Sequence, residues 1–87
     1  MLRLTLYSRL DCALCDELLA ALEQHPRGGT DFAVDVVDIK TQADLETRYG
    51  LIVPVLNYGE ERLCAGVYGE GLWQKIDALL ATADRDD

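Results

Sequence analysis

No run of apolar residues in this 87-residue chain approaches the length that a membrane span requires. The opening Met1-Leu2-Arg3-Leu4-Thr5-Leu6-Tyr7 alternates, where a signal peptide would carry an unbroken apolar centre and a small-residue cleavage site. The expectation is a cytoplasmic protein that does not contact a membrane. Basic residues are scarce as well: 8 Lys and Arg stand against 16 Asp and Glu, for a net charge of −8. Nucleic-acid binding needs a basic stripe that displaces counterions from phosphates, and none is present. With only three cysteines, an odd number, a disulfide framework is excluded. A zinc site would have to draw on Cys64 and the single His25 without paired spacing, so no metal ligands are assigned. Gly66 and Gly69 have no lysine after them at P-loop spacing, which removes a phosphate-loop reading.

What is present is enough for one globular domain: 49% hydrophobic and 28% charged residues place the chain outside the disordered class. Leu2, Leu4 and Leu6 alternate with Arg3, Thr5 and Tyr7 as in a strand. After a loop over Ser8 to Asp11, Leu14, Leu18, Leu19 and Leu22 recur at helical spacing until His25-Pro26-Arg27-Gly28-Gly29 stops the helix. Phe32 to Ile39 reads as a second strand, apolar enough to be covered on both faces. Thr41, with Asp44 three residues on, is expected to cap a short helix that Gly50 closes. Val55 to Tyr58 and Arg62 to Ala65, joined at Gly59-Glu60, form an antiparallel hairpin. Gly66 to Gly71 is then a loop, and Leu72, Trp73, Ile76, Leu79 and Leu80 make the apolar face of a last helix. Residues 1–82 are expected to form a single domain, with residues 83–87 as an acidic tail and fraying from Ala81. The order β-α-β-α-β-β-α implies a four-stranded mixed α/β sheet flanked by helices, with its first two strands parallel.

One stretch carries chemistry. Cys12-Ala13-Leu14-Cys15 lies where the first strand hands over to the first helix. Free N–H groups and the helix dipole there favour a thiolate, and the second sulfur reaches back one turn to the first. In a parallel-stranded α/β sheet, reactive groups collect at such strand ends. A dithiol/disulfide redox pair is the reading this supports. Against it stand two incidental core cysteines and a metal centre. Cys64, in the strand alternation, reads as a packed core thiol. His25 reads as a solvated helix-end residue, and Trp73 as core packing. Tyr7 and Tyr68 read either as walls of a thiol cleft or as half-buried amphipathic rings.

Cys12 to Cys15 with Leu6-Tyr7-Ser8-Arg9 before and Asp16-Glu17 after, followed by Ile52-Val53-Pro54 ahead of a hairpin, resembles the glutaredoxin branch of the thioredoxin superfamily. Small bacterial glutaredoxin-like proteins match best, over nearly the whole chain. The resemblance implies a thioredoxin-like fold with Cys12 as exposed nucleophile and Cys15 as resolving thiol. It implies that Pro54 is held cis beside them, with Val53 offering its backbone to the substrate. Arg9 stands where the family carries a basic residue that approaches the glycine carboxylate of glutathione. The implied activity is thiol–disulfide exchange on a disulfide-bearing protein or a glutathione mixed disulfide. No cofactor is tightly bound, glutathione serves as reductant or co-substrate, and the protein is a monomer.

Two departures bear on glutathione. The family's Pro-Tyr between the cysteines is here Ala13-Leu14. Its Gly-Gly-x-x-Asp segment is here Ala65-Gly66-Val67-Tyr68-Gly69, with Glu70 one position late. Around Cys12, the helix N-terminus and Arg9 favour the thiolate, whereas Asp11, Asp16 and Glu17 oppose it. A mild activation is the net expectation. The reading from another functional class is a non-catalytic thioredoxin-fold module that binds a peptide or carries a metal or iron–sulfur centre.

Overall fold

Leu4 and Leu6 point to one side of the first strand and are almost wholly excluded from solvent, while Thr5 and Tyr7 point to the other. This period-2 division sets up two unequal layers on a central sheet. The computed structural model describes residues 2–85. Its elements are β1 (Leu2–Ser8), α1 (Ala13–Glu23), β2 (Phe32–Asp38), a 3₁₀ turn (Ile39–Thr41), α2 (Ala43–Tyr49), β3 (Val55–Tyr58), β4 (Glu61–Ala65) and α3 (Glu70–Arg85). The strands are ordered β2-β1-β3-β4. β1 pairs in parallel with β2, and β3 pairs antiparallel with β4, as the element order implied; β1 also pairs antiparallel with β3.

α1 and α3 cover one face. Leu18 and Leu22 from α1 and Leu72, Ile76 and Leu80 from α3 meet Leu4, Leu6, Phe32, Leu56 and Leu63 in the larger core. Each such leucine contributes about 1.5–3 kcal/mol on burial. The opposite face carries a smaller cluster of Ile39, Tyr49 and Val55, bordered by Tyr7, Leu45, Ile52 and Val53. A helix of seven residues, α2, is too short to cover that face along its length.

Two strand ends move by one residue, β2 stopping at Asp38 and β4 starting at Glu61, and the larger departure concerns burial. β2 is an edge strand; Val36 is half exposed and Asp35 faces solvent, where Arg3 pairs with it at 2.6 Å. Its valines satisfy strand propensity and do not mark burial on two faces.

The helix boundaries differ more. Thr41 does not cap α2: it closes the 3₁₀ turn, its hydroxyl donating to the Asp38 carbonyl at 2.7 Å. Gln42 is the N-cap and makes no side-chain cap bond. α3 begins at Glu70, inside the expected glycine loop, and runs to Arg85, so the expected tail is helical from 81 to 85. The rest of that tail, 86–87, lies outside the described residues. His25 is half-buried, edge-on to Phe32 with ring centroids 5.3 Å apart, and its Nδ1 accepts from the Arg27 N–H at 3.0 Å. It is a packing and turn-closing residue, contrary to the solvated helix end expected of it.

Candidate functional site

Between β1 and α1 the chain turns through Asp11, whose φ of 64° lies in the left-handed region. Aspartate tolerates this better than most side chains do. The turn delivers Cys12 in an extended conformation (φ −105°, ψ 97°) to the N-cap of α1. There its Sγ accepts a hydrogen bond from the Cys15 N–H at 3.2 Å, satisfying one of the helix's orphan donors with sulfur. Negative charge developing on that sulfur meets the N–H and the positive end of the helix. Cys12 and Cys15 are joined as a disulfide, with Cα atoms 5.2 Å apart. The two sulfurs are not equivalent. Cys12 is partly exposed, whereas Cys15 is 2% exposed beneath the first turn.

β1 and β3 bring the second half of the site into place. Tyr7 pairs with Val55, so the strand register carries Pro54 to the end of the sheet from which the cysteine loop leaves. The Val53–Pro54 bond is cis, and Pro54 is buried. The Gly66 N–H donates to the Pro54 carbonyl at 2.9 Å, tying the exit of β4 to this bend. Gly66 has φ 80° and can make the turn because it lacks a side chain. The Val53 N–H is bonded to the Tyr49 carbonyl at 3.1 Å, while no backbone N–H of the described residues donates to the Val53 carbonyl. Half of the Val53 backbone is therefore committed inside the protein.

Arg9, together with Leu10, Asp11, Asp16, Val36 and Asp38, lines a hollow of about 250 Å³ that reaches Cys15. Three carboxylates against one guanidinium give this hollow a negative balance. Tyr7 lies elsewhere. It projects to the α2 side, its ring stacked on that of Tyr49 at 4.6 Å, and lines a separate hollow. Tyr68 is half-buried against the larger core and edge-on to Trp73. Desolvation first, and then the neighbouring Glu17 carboxylate, push its phenol above its ordinary value. Burial likewise pushes the Cys64 thiol up, and that side chain is half covered by the larger core.

Sequence reasoning had no means of finding three further residues: Leu10, Leu51 and Val67 are 73%, 101% and 75% exposed. Each belongs to a loop at this end of the sheet: the approach to Cys12, the approach to Pro54, and the exit from β4. These are large apolar side chains left in water on three loops at one end of the sheet. Their type resembles core residues in the sequence, and only the fold reveals their exposure. Among the described residues no group of three or more His, Cys, Asp or Glu is arranged to hold a metal ion, and no helix is long and apolar enough to cross a membrane.

A disulfide at the first turn of a helix, with a cis-proline bend at the same end of a β-α-β-α-β-β-α sheet, defines a domain of the thioredoxin-like class. The chain belongs to the glutaredoxin-like family: the model of the glutaredoxin-like domain (DUF836) matches residues 3–78. It is similar to the crystal structure of a structural-genomics target protein, XcR50 from X. campestris, at 39% identity and a TM-score of 0.66, covering 86% of this chain and 96% of that one. No curated protein matches the chain.

Proposed function

We propose that the protein is a thiol–disulfide oxidoreductase acting through Cys12 and Cys15, with disulfide-bearing polypeptides as its preferred substrates. The observation that carries this reading is the unequal exposure of the two sulfurs, one partly open at the helix N-cap and the other 2% exposed below it. In the reduced form the Cys12 thiolate attacks one sulfur of a substrate disulfide. A Cys12–substrate mixed disulfide forms, and the other substrate sulfur leaves as a thiolate that takes up a proton. The Cys15 thiolate then attacks Cys12, regenerating the internal disulfide and releasing the second substrate thiol. The substrate gains two electrons and two protons, and the dithiol loses them. An external thiol, glutathione or a protein dithiol, restores the pair by the reverse sequence.

The preference for polypeptides rests on Leu10, Leu51 and Val67, exposed on loops at the same end of the sheet as the cysteines, and on the Val53 carbonyl as the proposed acceptor for an extended chain. Arg9 steers anionic groups, and Pro54 aligns the incoming sulfur. Glutathione is the poorer fit: Asp11, Asp16 and Asp38 share the hollow of Arg9, and both carboxylates of glutathione would meet that charge.

The test compares reduction of a protein disulfide and of a glutathione mixed disulfide by the parent protein, Cys12→Ser and Cys64→Ser. Cys12→Ser abolishes both activities, Cys64→Ser retains them, and the protein substrate is favoured. Loss of activity on Cys64→Ser alone would overturn the assignment. Inactivity of the parent on both substrates would leave the domain a binding module.

A further inference from the structure

We propose that the α2 face carries a binding site for a phosphate group, free or borne by a small metabolite, built from Arg48, Arg62 and Asn57 around Tyr49. This site is independent of the redox pair. Arg48, in the last turn of α2, and Arg62, on β4, place their guanidinium carbons 5.9 and 5.7 Å from the centroid of the same Tyr49 ring. The ring is itself 5% exposed and stacked on Tyr7. Two like charges converge on one ring, and neither forms an ion pair with a carboxylate among the described residues, in a chain with 16 Asp and Glu. The Arg3 and Arg27 guanidiniums, by contrast, each have an aspartate partner. Cation–π attraction to the ring is small beside what a dianion offers two guanidiniums.

The second, independent observation is Asn57. It is the only buried polar side chain among the described residues, 8% exposed, and its Oδ1 has no hydrogen-bond partner. A buried acceptor left unpaired is costly, and such a group needs a partner to explain it. Asn57 is paired with Arg62 across the β3–β4 ladder, where a register shift between Leu56 and Asn57 keeps both on the α2 face while Leu63 enters the larger core. Asn57, Arg48, Arg62, Tyr7 and Tyr49 line one hollow of about 400 Å³, open because α2 is too short to fill it. The hollow thus offers two bidentate donors for anionic oxygens, with the buried amide of Asn57 beneath them. Hydrogen phosphate and a phosphate monoester both supply such oxygens. Glu60, the one carboxylate lining the hollow, sits on the exposed turn and accepts from a hydroxyl of such an ester.

The test is a titration of the ¹⁵N-labelled protein with inorganic phosphate and with glycerol 3-phosphate, using glycerol as control. Amide shifts concentrated at Tyr7, Arg48, Tyr49 and residues 57–62 are expected. Arg48→Met and Arg62→Met should each weaken binding about tenfold or more, and the double variant should abolish it. Both arginines are exposed, so these variants retain the fold, and their disulfide reduction should match that of the parent. Tighter binding of the ester assigns the site to a phosphorylated metabolite, and equal binding assigns it to free phosphate. Absence of binding by either probe, or affinity unchanged in the double variant, would overturn the proposal.

Discussion

The backbone N–H of Cys15 points at the sulfur of Cys12 from 3.2 Å, so the residue proposed to resolve also caps the one proposed to attack. This bond belongs to the backbone and survives replacement of the Cys15 side chain. Cys15→Ser therefore keeps the environment of Cys12 and removes only resolution. Offered a protein disulfide, that variant should accumulate a covalent adduct through Cys12, seen in the intact mass and released by dithiothreitol. A variant that turned over as fast as the parent would show that resolution does not need Cys15.

Cys64 is the thiol to which burial denies its anion. After reduction, iodoacetamide should modify Cys12 ahead of Cys64 at neutral pH, as read by peptide mass spectrometry. The sign is fixed: a thiol held neutral in the fold contributes stability below its ordinary value of about 8.5, and that contribution is lost as pH rises through the raised value. Alkylation of Cys64 should accelerate across that alkaline range, and Cys64→Ala should remove the associated fall in stability.

Arg3 and Asp35 pair across β1 and β2, both well exposed, at 2.6 and 3.1 Å. The hydrogen bonds from Arg3 foremost, opposed by desolvation and aided by its charge, hold the Asp35 carboxyl below its usual range. The resulting stabilisation is present above the ordinary carboxylate value of about 3.9 and is lost as pH falls through the lowered one. Asp35→Asn should thus differ from the parent in urea midpoint at neutral pH and converge with it in acid. Added salt should shrink the difference.

Gly66 makes its turn at φ 80°, and a Cβ there would meet nothing closer than the Ile52 carbonyl at 3.8 Å. The cost of Gly66→Ala is therefore conformational, about 1–2 kcal/mol, and Gly66→Asn should cost less. Urea denaturation of the three proteins measures both. Because Gly66 holds the Pro54 carbonyl, the alanine variant should also slow disulfide reduction, whereas core damage of equal size should not.

Leu22 has no exposed surface and sits between α1 and the sheet. Leu22→Ala should destabilise by about 2–5 kcal/mol, the range for a large core cavity. Activity per folded molecule should be retained, since Leu22 lies two turns from the cysteines along α1.

Much of this was legible from the chain. The alternation of Leu2 to Tyr7, the leucine spacing after Cys12 and the hairpin at Gly59-Glu60 each reflect local geometry, and all three reappear in the structure. The cis bond at Pro54 came from family resemblance; composition says nothing of it. What escaped depends on tertiary placement. Whether valines of β2 are covered depends on strand order, which neighbouring residues do not encode. Thr41 and Asp44 satisfy a capping pattern, yet the chain leaves Ile39 in a 3₁₀ turn first and starts the helix two residues later. Arg48 and Arg62 stand fourteen positions apart in an acidic sequence, and only the packing of α2 against the hairpin brings them to one ring.

The burial of Cys15 has a kinetic consequence. If external sulfur can approach only Cys12, then oxidant and reductant must use the same doorway in turn. Neither can bind productively until the other has departed. The proposed exchange would then follow ping-pong kinetics, giving parallel double-reciprocal lines, and a molecule blocking the doorway would compete with both reaction partners.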